Sequence, residues 1–322
     1  MSLQEALCQF AALKFAPSNR RCEDAFSYSF ESPYLHYACV FDGCGGLGSK
    51  RYQRLADRTG AFLSSQTCAE VFNREMSRVP QGTAIDETFL INLKKNFLSE
   101  LNKIENSYGE KNRLIGSMVR TLPCTASGFA VTPAGDPMQK LHLDVFQSGD
   151  SRVYIMRPKE GLQQLTRDEL RGKPDALKNL YVSAPLENMI NIDADFTLTH
   201  STYEIPTPAA VLCASDGFFG YFKTPMHFEK YVLDSMMNAA NFSELENNLL
   251  QALKPLTGDD STAVMPFYGW TSYEQLKADF AKRHRFISGL CSSVDADPSD
   301  ETIDTAWNQY KALYYDWQDR DK

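Results

Sequence analysis

The sequence predicts an α+β protein in which amphipathic helices lie against antiparallel strands. Three observations carry that expectation. Short strand-like runs over 10–15, 25–30 and 35–41 are followed by two helical segments. From Thr125 the apolar period changes to two over three successive segments. Beyond Trp270 the chain turns into two charged amphipathic helices. Hydrophobic residues make up 43% of the 322 and charged residues 23%, which supports a packed core of one large domain, or a domain with an appendage.

Taken in order, the first two strands flank a turn rich in Arg, Glu and Asp, and the third ends in Asp42. Residues 50–76 read as helical through Leu55, Phe62, Leu63 and Val71, with Gly60 as the weak point. Pro80 and Gly82 break that segment. A second helix over 86–106 places Phe89, Leu90, Leu93, Phe97, Leu98, Leu101 and Ile104 on one face. Segments 126–131, 140–147 and 152–156 then read as strands; Leu141, Leu143 and Val145 alternate with His142, Asp144 and Phe146. Residues 165–207 have weak periodicity and three prolines, and are expected to form an irregular insert. A buried strand over 209–214, helices over 225–237 and 243–253, and a last strand over 262–267 follow. The tail is expected to hold helices over 273–290 and 301–317. In the second, Trp307, Tyr310, Tyr314 and Trp317 share one face, and packing back onto the core is the expectation for them.

Acidic residues gather at the strand ends. Asp42-Gly43-Cys44-Gly45-Gly46-Leu47-Gly48 places a carboxylate where a buried strand stops and glycines let the backbone turn and approach a ligand. Alone, this is equally a strand-to-helix turn with a capping aspartate. Glu23-Asp24 precedes the second strand, Asp216 follows the run 209–214, and Asp259-Asp260 opens the last strand. Carboxylates so far apart in sequence, each at a strand end, are what a fold-assembled site for a hard divalent cation needs.

Bulk properties exclude other classes. Lys and Arg number 33 against 41 Asp and Glu, a formal charge of −8, so binding to nucleic acid or an anionic membrane is not expected. No apolar run reaches the roughly 18–20 residues that span a bilayer. The first residues lack a secretory pattern, and the eight cysteines are scattered without a CxxC pair. A cytoplasmic protein with free thiols is the expectation.

In order along roughly 10–268, these motifs resemble the metal-dependent PPM/PP2C family of serine/threonine protein phosphatases. Glu23-Asp24-Ala25, Asp42-Gly43-Cys44-Gly45-Gly46, Cys124-Thr125-Ala126, Gly149-Asp150-Ser151-Arg152, Leu165-Thr166-Arg167-Asp168, Ala214-Ser215-Asp216-Gly217 and Asp259-Asp260-Ser261-Thr262 carry the resemblance. It implies a four-layer α-β-β-α sandwich of two antiparallel sheets flanked by helices; the domain is expected over 1–268, and the C-terminal helices, outside the resemblance, are expected to form a helical extension over 269–322 packed on or beside it. It also implies two Mn²⁺ or Mg²⁺ ions, with Asp42 bridging and the Gly43 carbonyl a second ligand. Glu23 would hold one ion and Asp216 with Asp260 the other, while Asp24 acts through water. Asp42, Asp216 and Asp260 would thereby be the catalytic carboxylates, and a metal-bound water would attack phosphorus. The partners implied are a phosphoprotein substrate and a cognate Ser/Thr kinase system, with a monomer expected.

The sequence departs from the family at three places. Cys44 stands where eukaryotic members carry a histidine. Asn19 stands where the phosphate-binding arginine is usual, leaving Arg20 or Arg21 for that role. Asp150 is present for a possible third metal, but its usual partner position is Gly220. These departures leave a rival reading: a catalytically weak or inactive pseudophosphatase that binds or regulates.

Overall fold

The computed structural model describes residues 2–17, 21–109, 119–172, 175–181 and 184–319. A capped turn, α1 (Leu3–Ala6), leads into β1 (Leu7–Phe15), β2 (Ala25–Ser29) and β3 (His36–Gly43). A small hairpin of β4 (Arg51–Tyr52) and β5 (Arg58–Thr59) precedes α2 (Gly60–Met76) and α3 (Glu87–Tyr108). Six strands follow: β6 (Cys124–Pro133), β7 (Lys140–Ser148), β8 (Arg152–Arg157), β9 (Gly161–Gln164), β10 (Thr199–Pro206) and β11 (Ala209–Ala214). The chain continues through α4 (Asp216–Phe219), α5 (Pro225–Met237), α6 (Phe242–Leu253) and β12 (Ser261–Tyr268). It ends, within the described residues, in α7 (Tyr273–Ala296), α8 (Asp300–Tyr314) and α9 (Asp316–Asp319).

Two five-stranded antiparallel sheets result, ordered β1-β12-β11-β8-β9 and β10-β7-β6-β3-β2. Alternation along each strand sorts side chains into separate cores. In β3, Ala38 and Val40 face the opposite sheet, while Tyr37, Cys39 and Phe41 pack under α2 and α3. In β11, Val211 and Cys213 enter the layer between the sheets; Ala210, Leu212 and Ala214 turn to the helices on the other side. Three apolar layers between four layers of secondary structure make the α-β-β-α sandwich that the motif order implied.

The first helix differs from its expected extent. Residues 50–76 are not one helix: the chain forms the β4–β5 hairpin first, and the helix begins at Gly60. Ala56 and Asp57 adopt left-handed φ values of 57° and 55°, which a helix cannot absorb. Thr59 then caps α2, its Oγ1 accepting from the Phe62 amide at 3.2 Å. Gly60 therefore sits at the helix start, where its low propensity costs little. The expected irregular insert is partly ordered as well. Thr199–Pro206 pairs with β7 along its whole length, and only Tyr203 and Ile205 of that edge strand are buried. Two inward residues in eight are too faint a pattern to read in advance.

The C-terminal helices close the sheet edge at β9. Trp307, Tyr310 and Tyr314 belong to the core under β8 and β11, and Trp317 enters the layer between the sheets. Trp317 Nε1 donates to Gln163 Oε1 at 3.1 Å, and Gln163 Nε2 donates to the Leu313 carbonyl at 2.8 Å. An otherwise open strand edge is thereby covered. A buried ion pair ties the same layer together: Arg283 donates to both oxygens of Glu229 at 2.6 and 2.8 Å, and Tyr310 Oη donates to Glu229 Oε2 at 2.6 Å. Removing Glu229 alone strands a guanidinium in an apolar layer. Glu229→Leu is therefore expected to cost about 3–5 kcal/mol in denaturant unfolding, and Glu229→Leu with Arg283→Met less than that. A single-variant loss below about 1 kcal/mol contradicts this assignment.

Candidate active site

Strand register brings the acidic residues to one end of the sandwich. Ala25 pairs with Phe41, so Glu23 and Asp24 arrive beside Asp42 at the end of β3. Asp42 pairs in turn with Thr125 of β6, and Asp150 lies in the β7–β8 turn at the same end. From the other sheet, Ala214 pairs with Ala263, placing Asp216 after β11 next to Asp260 before β12. A cleft of about 780 Å³ opens there, lined by Arg21, Glu23, Asp24, Asp42, Gly43, Cys44, Asp150, Asp216, Asp259 and Asp260. The structure brings together every described candidate from the sequence; Arg20, like Asn19, lies outside the described residues.

Local chemistry fixes each group. Gly43 is required by close packing: a Cβ there would fall 2.6 Å from the Glu23 carbonyl and 2.9 Å from that of Ala61. Glu23 Oε1 accepts from Thr59 Oγ1, and the Ser65 hydroxyl donates to the Glu23 carbonyl. Asp260 Oδ2 accepts from the Glu23 amide at 2.6 Å, joining the two sheets across 237 residues of sequence. Asp24 is buried and accepts from Ser215 Oγ at 2.8 Å, a second link between the sheets. Sequence inspection missed Thr59, Ser65 and Ser215 as supports, because an isolated hydroxyl carries no spacing signal.

The carboxylates perturb one another. Burial, followed by the charges of Asp24 and Asp216, pushes Asp42 well above the usual carboxylate range. Burial lifts Asp24 to about 7 against the hydrogen bond from Ser215. Burial, then the charges of Asp216 and Asp168, lifts Asp150 to about 8. Burial, then the charge of Asp42, also holds the Cys44 thiol protonated, which argues against a reactive thiolate at that position.

Among the described residues, no three His, Cys, Asp or Glu side chains are arranged as a ready metal cage. Glu23, Asp24 and Asp260 each have an oxygen engaged by a protein donor instead. The donor set nevertheless fits a hard divalent cation. It is all oxygen, and its carboxylates crowd at the ends of two sheets around one cleft, where a cation would offset their charges. Gly220, in the position that would supply a third-metal carboxylate, caps α4 by donating its amide to the Asp216 carbonyl at 2.6 Å, and offers no side chain.

Comparison with known proteins agrees with this geometry. The protein phosphatase 2C family profile matches residues 16–254. The chain belongs to that family, a class of protein phosphatases. No curated protein matches the sequence. Among solved structures, the serine/threonine phosphatase PstP/Ppp of Mycobacterium tuberculosis superposes with a TM-score of 0.56 at 15% identity, covering 81% of this chain and 99% of that one. The serine/threonine phosphatase Stp1 of Staphylococcus aureus gives 0.59 at 14% identity, with 83% and 97% covered. The PstP catalytic domain in complex with two manganese ions gives 0.53 at 16% identity, with 80% and 97% covered. At these identities the likeness establishes a shared fold.

The raised carboxylates set a pH dependence. Asp24 and Asp150 hold protons in the folded state up to about 7 and about 8, whereas unfolded aspartates release them near ~4. The native state binds more protons across that window, so this contribution to stability is present at acidic pH and lost as pH rises. The thermal midpoint of chelator-treated protein is expected to fall between pH 5 and pH 8; a midpoint rising over that range contradicts the assignment.

Proposed function

We propose that this chain is a divalent-cation-dependent phosphatase that removes phosphate from phosphoserine and phosphothreonine in proteins. One observation carries the reading: carboxylates from both sheets, Asp42 and Asp216 among them, meet in a single open cleft. Family membership and a structural neighbour bound to two manganese ions support it.

In this reading Asp42, the Gly43 carbonyl, Glu23, Asp216 and Asp260 would hold two Mn²⁺ or Mg²⁺ ions in the cleft. Bound there, the cations would lower the pKa of a water and offset charge on the phosphoryl oxygens. The chain supplies the rest. Thr59 orients Glu23, and the Glu23 amide orients Asp260. Asp24, buried against Ser215, sits behind the site and acts through water. Arg21, on the exposed lip, offers a guanidinium to substrate phosphate. Cys44 keeps its proton, so no side-chain nucleophile is called on. Asp150 remains a candidate for a further cation, with no second carboxylate at Gly220 to complete the pair. A Ser/Thr kinase must generate the substrate, because hydrolysis of a phosphomonoester consumes what such a kinase makes.

Hydrolysis of p-nitrophenyl phosphate and of phosphothreonine peptides, with and without Mn²⁺, tests this. Turnover is expected only with the cation, and Asp42→Asn and Asp216→Asn are expected to lower it by at least about a hundredfold. Wild-type rates in both variants overturn the site assignment. A wild type that binds phosphopeptide without turnover leaves the pseudophosphatase reading.

A further inference from the structure

The cleft is lined by three described arginines, Arg21, Arg51 and Arg58, and they are not equivalent. Arg51 is engaged: its Nη1 donates to both the carboxylate and the carbonyl of Asp57 at 2.9 Å. Arg21 is exposed on the lip. Arg58 is more enclosed, with its guanidinium 4.3 Å from the ring centroid of Phe62, another cleft residue. Its Nε is buried with no acceptor among the described residues. A buried donor without an acceptor is costly, so the position is explained if an acceptor arrives from outside.

The arm that carries Arg58 is held at both ends. Lys50 and Tyr52 both donate to Glu105 of α3, and the Arg51–Asp57 pair closes the β4–β5 hairpin. The residue after Arg58 is Thr59, whose hydroxyl holds Glu23. The guanidinium is thus fixed one residue from a support of the acidic centre, on a rigid arm facing the cleft.

We propose that Arg58 receives the phosphoryl dianion of the substrate, and that the β4–β5 hairpin is a substrate-recognition arm. A guanidinium presents a planar fork of N–H donors to two phosphoryl oxygens, and the Phe62 ring fixes its plane. The proposal rests on the phosphatase reading above and adds to it a second, more enclosed guanidinium for phosphate beside the exposed Arg21. Because Arg58 touches the bound phosphate in ground and transition states alike, its loss should appear in KM more than in kcat.

The test measures KM and kcat on a phosphothreonine peptide, and the inhibition constant of orthophosphate, for wild type, Arg58→Gln, Arg58→Lys and Arg54→Gln. Arg54 lies on the same hairpin but outside the cleft, bonded to the Ser107 carbonyl and set over the Tyr108 ring. Arg58→Gln is expected to raise KM and the orthophosphate constant together by about tenfold to a hundredfold, with kcat within about threefold. Arg58→Lys should recover part of the loss, and Arg54→Gln should match wild type. An active wild type with Arg58→Gln within about twofold on both constants overturns this proposal alone; so does an equal loss in Arg54→Gln. An inactive wild type overturns the phosphatase reading with it.

Discussion

The crowding of the Asp42 and Asp216 carboxyls at the mouth of one cleft is the constraint on which the account turns. Two ionised carboxylates brought together repel, and a proton or a cation beside them offsets that repulsion. The residues stand at the ends of β3 and β11, which belong to different sheets, so the cluster spans the end of the sandwich. The fold brings negative charges together and leaves the neutralising species to be supplied.

Holding such a cluster requires strong packing behind it. Phe41 and Ala214, the residues before Asp42 and Ser215, are both fully buried, and apolar layers lie on each face of each sheet. The links between the sheets at this end are polar: Glu23 amide to Asp260, and Ser215 to Asp24. Each engages a carboxylate oxygen at the acidic end of the sandwich. Apolar layers and a polar, acidic rim are thus produced by the same strands, read on alternate residues and at their ends.

Much of this was legible in the sequence. Pro225–Met237 matched its expected bounds, because Thr224 caps the helix and proline opens it. Asp42, Asp216, Glu23 and Asp260 were legible because each follows or precedes a plain apolar run. Other features were not. The β4–β5 hairpin lies in a stretch whose composition is helical, and only the left-handed turn at Ala56 and Asp57 reveals it. The place of Arg58 beside Phe62 in the cleft gave no sequence signal, since the fold alone brings the two together. The edge strand β10 stayed hidden because most of its side chains face solvent. Local apolar pattern announces buried elements well, and exposed elements that shape a cleft poorly.

The central claim is that the cluster is built for divalent cations, and calorimetric titration of chelator-treated protein with Mn²⁺ measures that most directly. The account predicts saturable binding by the wild type, lost or strongly weakened in Asp42→Asn and in Asp216→Asn while both variants stay folded. A folded wild type that takes up no Mn²⁺ or Mg²⁺, or Asn variants that bind as the wild type does, would contradict it.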